Sequence, residues 1–395
     1  MKKSERDEYD KTYGLYKFKR PLPSEIESAM GLVGESILFK KLISADYERF
    51  YDPIKIPEEG DWLMTHKEFG QTYNEYIQND CYQVDPNHNV IYIHRFSSND
   101  DLIKDELFQN VIILLEAFFT GMKVYLYDEG TNYLINNNEN DNENENNNNE
   151  NNNNNENNNN ENNNNENNGE NNIENNNNME NNVDNNNIIK NAQNEKMAIN
   201  ADQLLEKLKL EMPEDAYCVF GIIDNDLYTE SLSYNGKRLI KSTYCKRSIQ
   251  DRVAIFSLAR FDPFFNFNGK INNLSKEQKY KISLILLKRI CNAITREICY
   301  MFGMKNCIFL SCCMNGTNVT EFDNKQIELC PICLRKLVTN IKANGEDIKT
   351  YRVKKPLIVF NRFVKMRDAL DNFAGIYENE IKWFDARIDF LKGLI

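Results

Sequence analysis

Four cysteines in the last quarter of the chain carry its most legible chemistry. Four residues separate Cys307 from Cys312, and two, a Pro-Ile dipeptide, separate Cys330 from Cys333. Thiolates are soft donors that lose their protons as they bind metal, and two closely spaced pairs suit one tetrahedral, all-sulfur zinc. The short Cys-Pro-Ile-Cys loop lets two sulfurs converge on one ion from a tight turn. Cys313 adjoins Cys312, so spacing alone leaves two residues competing for one ligand position. The rival reading is a set of buried, unpaired thiols in a reducing compartment.

Just upstream the chain reads Arg296-Glu297-Ile298-Cys299-Tyr300-Met301-Phe302-Gly303-Met304-Lys305-Asn306. The zinc-protease pattern H-E-x-x-H-x-x-G-x-x-H puts two histidines four apart on one helical face and a third beyond a glycine turn. Its glutamate takes a proton from zinc-bound water. Glu297 and Gly303 fall in register with that pattern, whereas Arg296, Tyr300 and Asn306 occupy the histidine positions. Arginine offers no lone pair at neutral pH, asparagine is a poor zinc ligand and tyrosine an unusual one. Without a metal, Glu297 cannot activate water, whose pKa stays near ~15.7 rather than ~7. The segment therefore predicts no second, catalytic zinc. The chain holds three histidines, His66, His88 and His94, all far upstream. Cys299 lies off the Arg296/Tyr300 face and reads as a packing residue.

These residues resemble the archaemetzincin family of zinc metallopeptidases. In that family the third histidine is followed by Cys, then x4-Cys-x-Met, then Cys-x-x-Cys. The chain matches at Glu297, Gly303, Cys307, Cys312, Met314, Cys330 and Cys333, and the spacing to Met314 selects Cys312 over Cys313. Asp61–His66, Val90–His94, Pro213–Gly221, Asp226–Tyr228 and Val253–Arg260 are also similar to family segments. The resemblance covers most of the chain from about residue 50 onward, except one insert. It implies an α/β (α+β) fold: a metzincin-like mixed sheet, a long active-site helix and a four-cysteine zinc lobe. It also implies one structural zinc on Cys307, Cys312, Cys330 and Cys333. Met314 would lie beneath the former metal position, Glu297 at the general-base position, and Arg296, Tyr300 and Asn306 where catalytic ligands belong. The Val253 strand resembles the strand flanking the family's cleft, an edge able to take an extended peptide by strand addition; a simple core or edge strand with no such role is the safer reading.

The elements that must position these residues are partly visible. Apolar periodicity predicts a helix over about 99–120, with Leu102, Leu107, Val111, Leu114, Leu115 and Phe118 inward. A strand follows at Lys123–Tyr127. Asn200 caps a short amphipathic helix, and Ala216–Ile223 is a continuous apolar run suited to a central strand. Val253–Leu258 reads as another strand. Lys276–Phe302 forms the long helix, with Ser275 capping its start and Gly303 ending it. Glu378–Leu394 closes the chain as a helix.

Residues 136–192 are mostly Asn punctuated by Glu, with almost nothing to bury, and read as a disordered insert in a surface loop. The domain plan is thus a charged N-terminal segment over 1–50, a first part of the fold over 51–135, the insert, and a second part over 193–395. The 395-residue chain has 60 acids and 48 bases. Twelve of the acids lie in the insert, and without them 48 acids face 48 bases. The net charge of −12 therefore says nothing about partners of the folded part, and no basic excess argues for nucleic acid. The start of the chain lacks the apolar core of a signal peptide, and no run approaches a membrane span. The expectation is a cytoplasmic or nuclear protein with no membrane partner, its ten cysteines reduced.

Three functions fit these features. One is an inactive homologue that keeps the structural zinc and binds a peptide or protein in the old cleft. Another is an active metallopeptidase with an unconventional ligand set. The third is a zinc-stabilised interaction module whose cleft is unused. The missing histidines favour the first and third. An open groove beside the Val253 strand would point to the first, a plugged one to the third. A guanidinium at 296 would restore positive charge beside a Glu297 deprived of its dication, the alternative being drift without compensation.

Overall fold

The computed structural model describes residues 18–96, 105–127, 188–190, 197–262, 265, 275–318, 322–323, 325–341, 348–373 and 375–395. The apolar run Ala216–Ile223 becomes β5, and every residue in it is buried. It lies at the centre of a five-stranded sheet between β1 (Val90–Phe96) and β9 (Val253–Ser257), both parallel to it. Beyond β1 lies β2 (Lys123–Tyr127), parallel, and beyond β9 lies β8 (Cys245–Ser248), antiparallel. A strand with two covered faces must be apolar throughout, which is why β5 shows no alternation.

One face of this sheet packs on helix α4 (Ala201–Leu210) through Leu205 and Leu208, which meet Val219, Ile223 and Ile255. Asn200 caps that helix by accepting from the Asp202 amide at 2.9 Å. The other face packs on α3 (Asp105–Phe118) and α5 (Lys276–Met301). Val111, Leu114, Leu115 and Phe118 face this core as the periodicity predicts. Leu102, the side chain of Leu107 and the helix start predicted at Asn99 lie outside the described residues. So does the Asn/Glu-rich tract, apart from Ile188–Lys190. Those three residues form β3, which pairs with β4 (Met197–Asn200) in a second sheet of order β3-β4-β6-β7. In it, β6 (Leu227–Leu232) and β7 (Arg238–Thr243) form an antiparallel hairpin.

Two expectations need correction. The Val253 strand is not an edge: β8 lies against it, and all five of its residues are buried. The antiparallel return of β8 depends on a chain reversal that hydrophobic runs do not encode. Nor do residues 18–50 stand apart as a charged segment. Helices α1 (Pro23–Met30) and α2 (Ile37–Ser44) send Ile26, Met30, Phe39, Leu42 and Ile43 into the main core, while their charges face outward. Arg387 donates to the Leu42 and Ala45 carbonyls at 3.0 and 2.8 Å, satisfying groups at the end of α2. Arg387 lies on the closing helix α8 (Glu378–Lys392), which packs on α7 (Ile348–Leu370).

Candidate metal centre and the closed cleft

Helix α5 delivers the site. Ser275 caps it in a reciprocal box with Gln278, an arrangement that stabilises a helix start by about 1 kcal/mol. Every residue from Ile290 to Met301 is buried. The helix stops at Gly303, which has φ +82°. A Cβ there would lie 1.6 Å from the Asp80 carbonyl oxygen, so only glycine permits this approach. The chain then reverses beneath the helix and brings Cys307 into the core.

A small amide network shapes the cysteine loop. The Asn315 side chain donates to the carbonyls of Cys307 and Leu310 at 2.8 and 3.0 Å and accepts from the Cys312 amide at 2.8 Å. The Cys307 amide donates to the Met314 carbonyl at 2.8 Å. Cys330 is the N-cap of α6 (Pro331–Asn340), with Pro331 at the first helical position and Cys333 one turn in. The helix N-terminus thus faces the sulfurs, where its partial positive charge favours thiolates.

The Sγ atoms of Cys307, Cys312, Cys330 and Cys333 all lie within 4.8 Å of one another, and all four residues are buried. Cys307 and Cys330 are 3.7 Å apart. A tetrahedral ZnS4 centre with bonds of ~2.3 Å has sulfur–sulfur edges of ~3.8 Å, so the donor set fits zinc. The amides of Met314 and Cys330 point at Cys312 Sγ from 3.4 and 3.2 Å, as they would toward a thiolate. Hydrogen bonds from the other three thiols hold the Cys307 thiol well below its ordinary pKa. Cys313 turns away from the cluster: its Sγ lies 3.5 Å from Thr295 Oγ1. The ambiguity between Cys312 and Cys313 is resolved by that turn. Met314 is buried in the same core, and its thioether packs there. Cys299 is also a buried core residue.

The positions aligned with catalytic histidines form something different. Arg296 Nε donates to the Tyr300 hydroxyl at 2.9 Å. That hydroxyl donates to Asn306 Oδ1, and Asn306 Nδ2 donates to Glu68 Oε1 at 2.6 Å. Trp62 Nε1 donates to the same carboxylate oxygen at 2.8 Å. The three positions are therefore one directional hydrogen-bond chain that ends on an acid. Arg296 and Tyr300 retain only 3 % and 6 % exposure. Burial keeps the Tyr300 phenol protonated by raising its pKa, so it can donate in this chain.

Glu297 is 1 % exposed, and its carboxylate is bound by Arg247 from β8, with Cys245 Sγ at 3.4 Å. The Arg247 guanidinium also lies 4.1 Å from the Tyr300 ring centroid. Between compensation by Arg296 and drift, the direct ion pair on Glu297 comes from Arg247, while Arg296 acts on that carboxylate only through space. Arg296 instead lies 5.3 and 5.9 Å from the Tyr300 and Phe322 ring centroids. No histidine reaches the site. His66 stacks on Trp62 at 3.4 Å, His88 binds Asp85 at 2.7 Å, and His94 packs on Phe96 at 4.3 Å. Among the described residues, the four cysteines are the one group of His, Cys, Asp and Glu donors placed to hold a metal.

Sequence reasoning missed Arg247, Cys245 and Glu68. No local pattern marks them, because they reach the motif from 50, 52 and 238 residues away.

Sheet, long helix and cysteine lobe together define a mixed α/β protein with a buried four-cysteine cluster. Over 309 residues the chain is 28 % identical to archaemetzincin-2 of Pongo abelii, covering 73 % of this chain and 69 % of that one. It is 27 % identical to human archaemetzincin-2 over 305 residues, with the same coverage. Against human archaemetzincin-1 the identity is 28 % over 162 residues, 36 % of this chain and 31 % of that one. About three quarters of the chain is thus similar in sequence to archaemetzincin-2. No family model matches the sequence. A crystal structure of archaemetzincin from Methanopyrus kandleri aligns with 65 % of this chain and 97 % of its own, at 15 % identity and a TM-score of 0.36.

Proposed function

We propose that this chain is an archaemetzincin homologue without peptidase activity, stabilised by one zinc on Cys307, Cys312, Cys330 and Cys333. The observation that carries this reading is the Arg296–Tyr300–Asn306–Glu68 chain. A catalytic zinc needs donors with free lone pairs and an open coordination position. Here that space holds a permanent cation and two side chains already bonded to each other. Glu297 is buried, and its Oε2 is bound by Arg247 and faced by Cys245 Sγ, so an ion pair stands where a general base would meet water.

This closure supports the reading as a zinc-stabilised interaction module over one in which a peptide lies across the old metal position. A second reading keeps a peptide contact nearby. Strand β8 forms the sheet edge and its residues are only partly buried, which suits strand addition without a metal.

The test is metal analysis and peptide hydrolysis on the purified full chain, beside Glu297→Ala. The expected result is one zinc per chain and no chelator-sensitive hydrolysis. Two zincs per chain, with hydrolysis abolished in Glu297→Ala, would overturn the proposal.

A further inference from the structure

The β6–β7 hairpin leaves the body of the protein and ends in a turn whose chemistry the zinc lobe and cleft do not use. Its turn is built locally. The Ser233 amide donates to the Lys237 carbonyl at 2.8 Å, the Gly236 amide donates back to Ser233 at 2.9 Å, and Gly236 takes φ +72°. This is the tight loop with a left-handed glycine that ordinary hairpins use. Every residue from Tyr234 to Ser242 is exposed. Tyr234 is fully exposed and Leu232 is 75 % exposed, with Leu239 and Ile240 exposed behind them. Four large apolar side chains in one short ribbon are more than the scattered surface hydrophobics of a soluble domain.

The same ribbon is basic. Lys237, Arg238 and Lys241 face one acid, Glu230, which Arg238 binds. The strand register distributes these groups on both faces. Leu232 lies opposite Arg238 and Glu230 opposite Ile240 on one side, with Ser231 opposite Leu239 and Thr229 opposite Lys241 on the other. Each face therefore carries both aliphatic and cationic side chains. That pattern does not suit a flat partner laid against one face. It suits immersion end-on, with the aliphatic and phenol groups at the level of lipid headgroups and the lysines reaching to phosphates and carboxylates.

We propose that the β6–β7 tip is a docking element for an anionic lipid surface. The expectation of no membrane partner rests on the lack of a segment long and apolar enough to span one. Peripheral docking by a tip needs no span. Charge complementarity sets the occupant: the unpaired ammonium groups add electrostatic attraction to the small apolar area, and salt weakens it.

The experiment is co-sedimentation of the full chain with phosphatidylcholine vesicles, with and without about 30 mol% phosphatidylserine. Two double variants go beside it, Leu232→Ser with Tyr234→Ser, and Lys237→Glu with Lys241→Glu. The full chain should partition onto the anionic vesicles, and each variant should lower that partition about tenfold with the thermal midpoint unchanged. Equal binding to neutral and anionic vesicles, no binding to either, or variants that bind like the full chain would each overturn the proposal. Polyglutamate binding lost only in the lysine variant, with no vesicle binding, would also overturn it and assign the tip to an acidic macromolecule.

Discussion

The carboxylate of Glu297 is held by Arg247, a residue 50 positions earlier on the sheet's edge strand, and not by its neighbour Arg296. A helix directs adjacent side chains about 100° apart, so residues 296 and 297 do not face each other. Strand β8 instead brings a guanidinium across the helix face at the level where Glu297 emerges.

Removing that cation leaves a buried carboxylate unpaired. Arg247→Ala is expected to lower stability by about 2 kcal/mol, less than for a sealed pair because the Arg247 side chain is 34 % exposed. Urea unfolding of Arg247→Ala, Glu297→Ala and the double variant checks it. The double variant should cost clearly less than the two singles added together. Strict additivity would show that the two groups do not interact.

The two neighbouring thiols should behave oppositely toward zinc. Cys312→Ser is expected to reduce zinc content from about one per chain to well below that, and to destabilise the fold by several kcal/mol. Cys313→Ser should retain the metal, because Cys313 faces Thr295 rather than the cluster. Zinc release followed with a chromogenic chelator distinguishes them, and greater loss from Cys313→Ser would refute the assignment.

Restoring imidazoles at all three replaced positions removes the cation and the plug together. Arg296→His, Tyr300→His and Asn306→His combined should raise zinc content from about one to about two per chain. In chelator the same variant should melt below the parent, having lost the hydrogen-bond chain to Glu68. Unchanged metal content would mean that Arg247 or the backbone still closes the position.

Acid should loosen the N-terminal helices. Burial opposes ionisation of Glu35, but Lys355 at 2.9 Å and Arg335 at 3.0 Å outweigh it and hold its pKa below the ordinary 4.5. A carboxyl whose folded pKa is depressed contributes stability above its unfolded value and loses it as pH falls through the folded one. Stability should therefore decline from about pH 4.5 downward. Glu35→Gln should be less stable than the parent at neutral pH and should approach it in acid. Parallel stability–pH curves for the two proteins would remove Glu35 from the account.

Much of the fold was legible because its signals are local. Ser275 with Gln278 marks the start of α5, Gly303 marks its end, and the apolar run of β5 marks the sheet centre. The N-terminal helices were obscured by charge, since counting acids and bases hides an inward row such as Phe39, Leu42 and Ile43. Helix α7 was missed for a related reason: it is basic, contains Pro356 and has little amphipathic contrast. The edge position was misplaced because strand order is a property of chain reversals, which period-two patterns do not record.

The sequence by itself determined the chemistry that is present. Cysteines at 307, 312, 330 and 333 supply four soft donors, and positions 296, 300 and 306 supply no imidazole, facts that no folding can alter. Tertiary structure alone decided how those groups are used. It brought the four sulfurs within 4.8 Å, turned Cys313 aside, and placed Arg247 on Glu297 and Glu68 on Asn306. The physical reason is that donor identity is covalent, whereas hydrogen bonds and ion pairs act over a few ångströms through space. Only the folded chain brings residues 50 or 238 positions apart within that range.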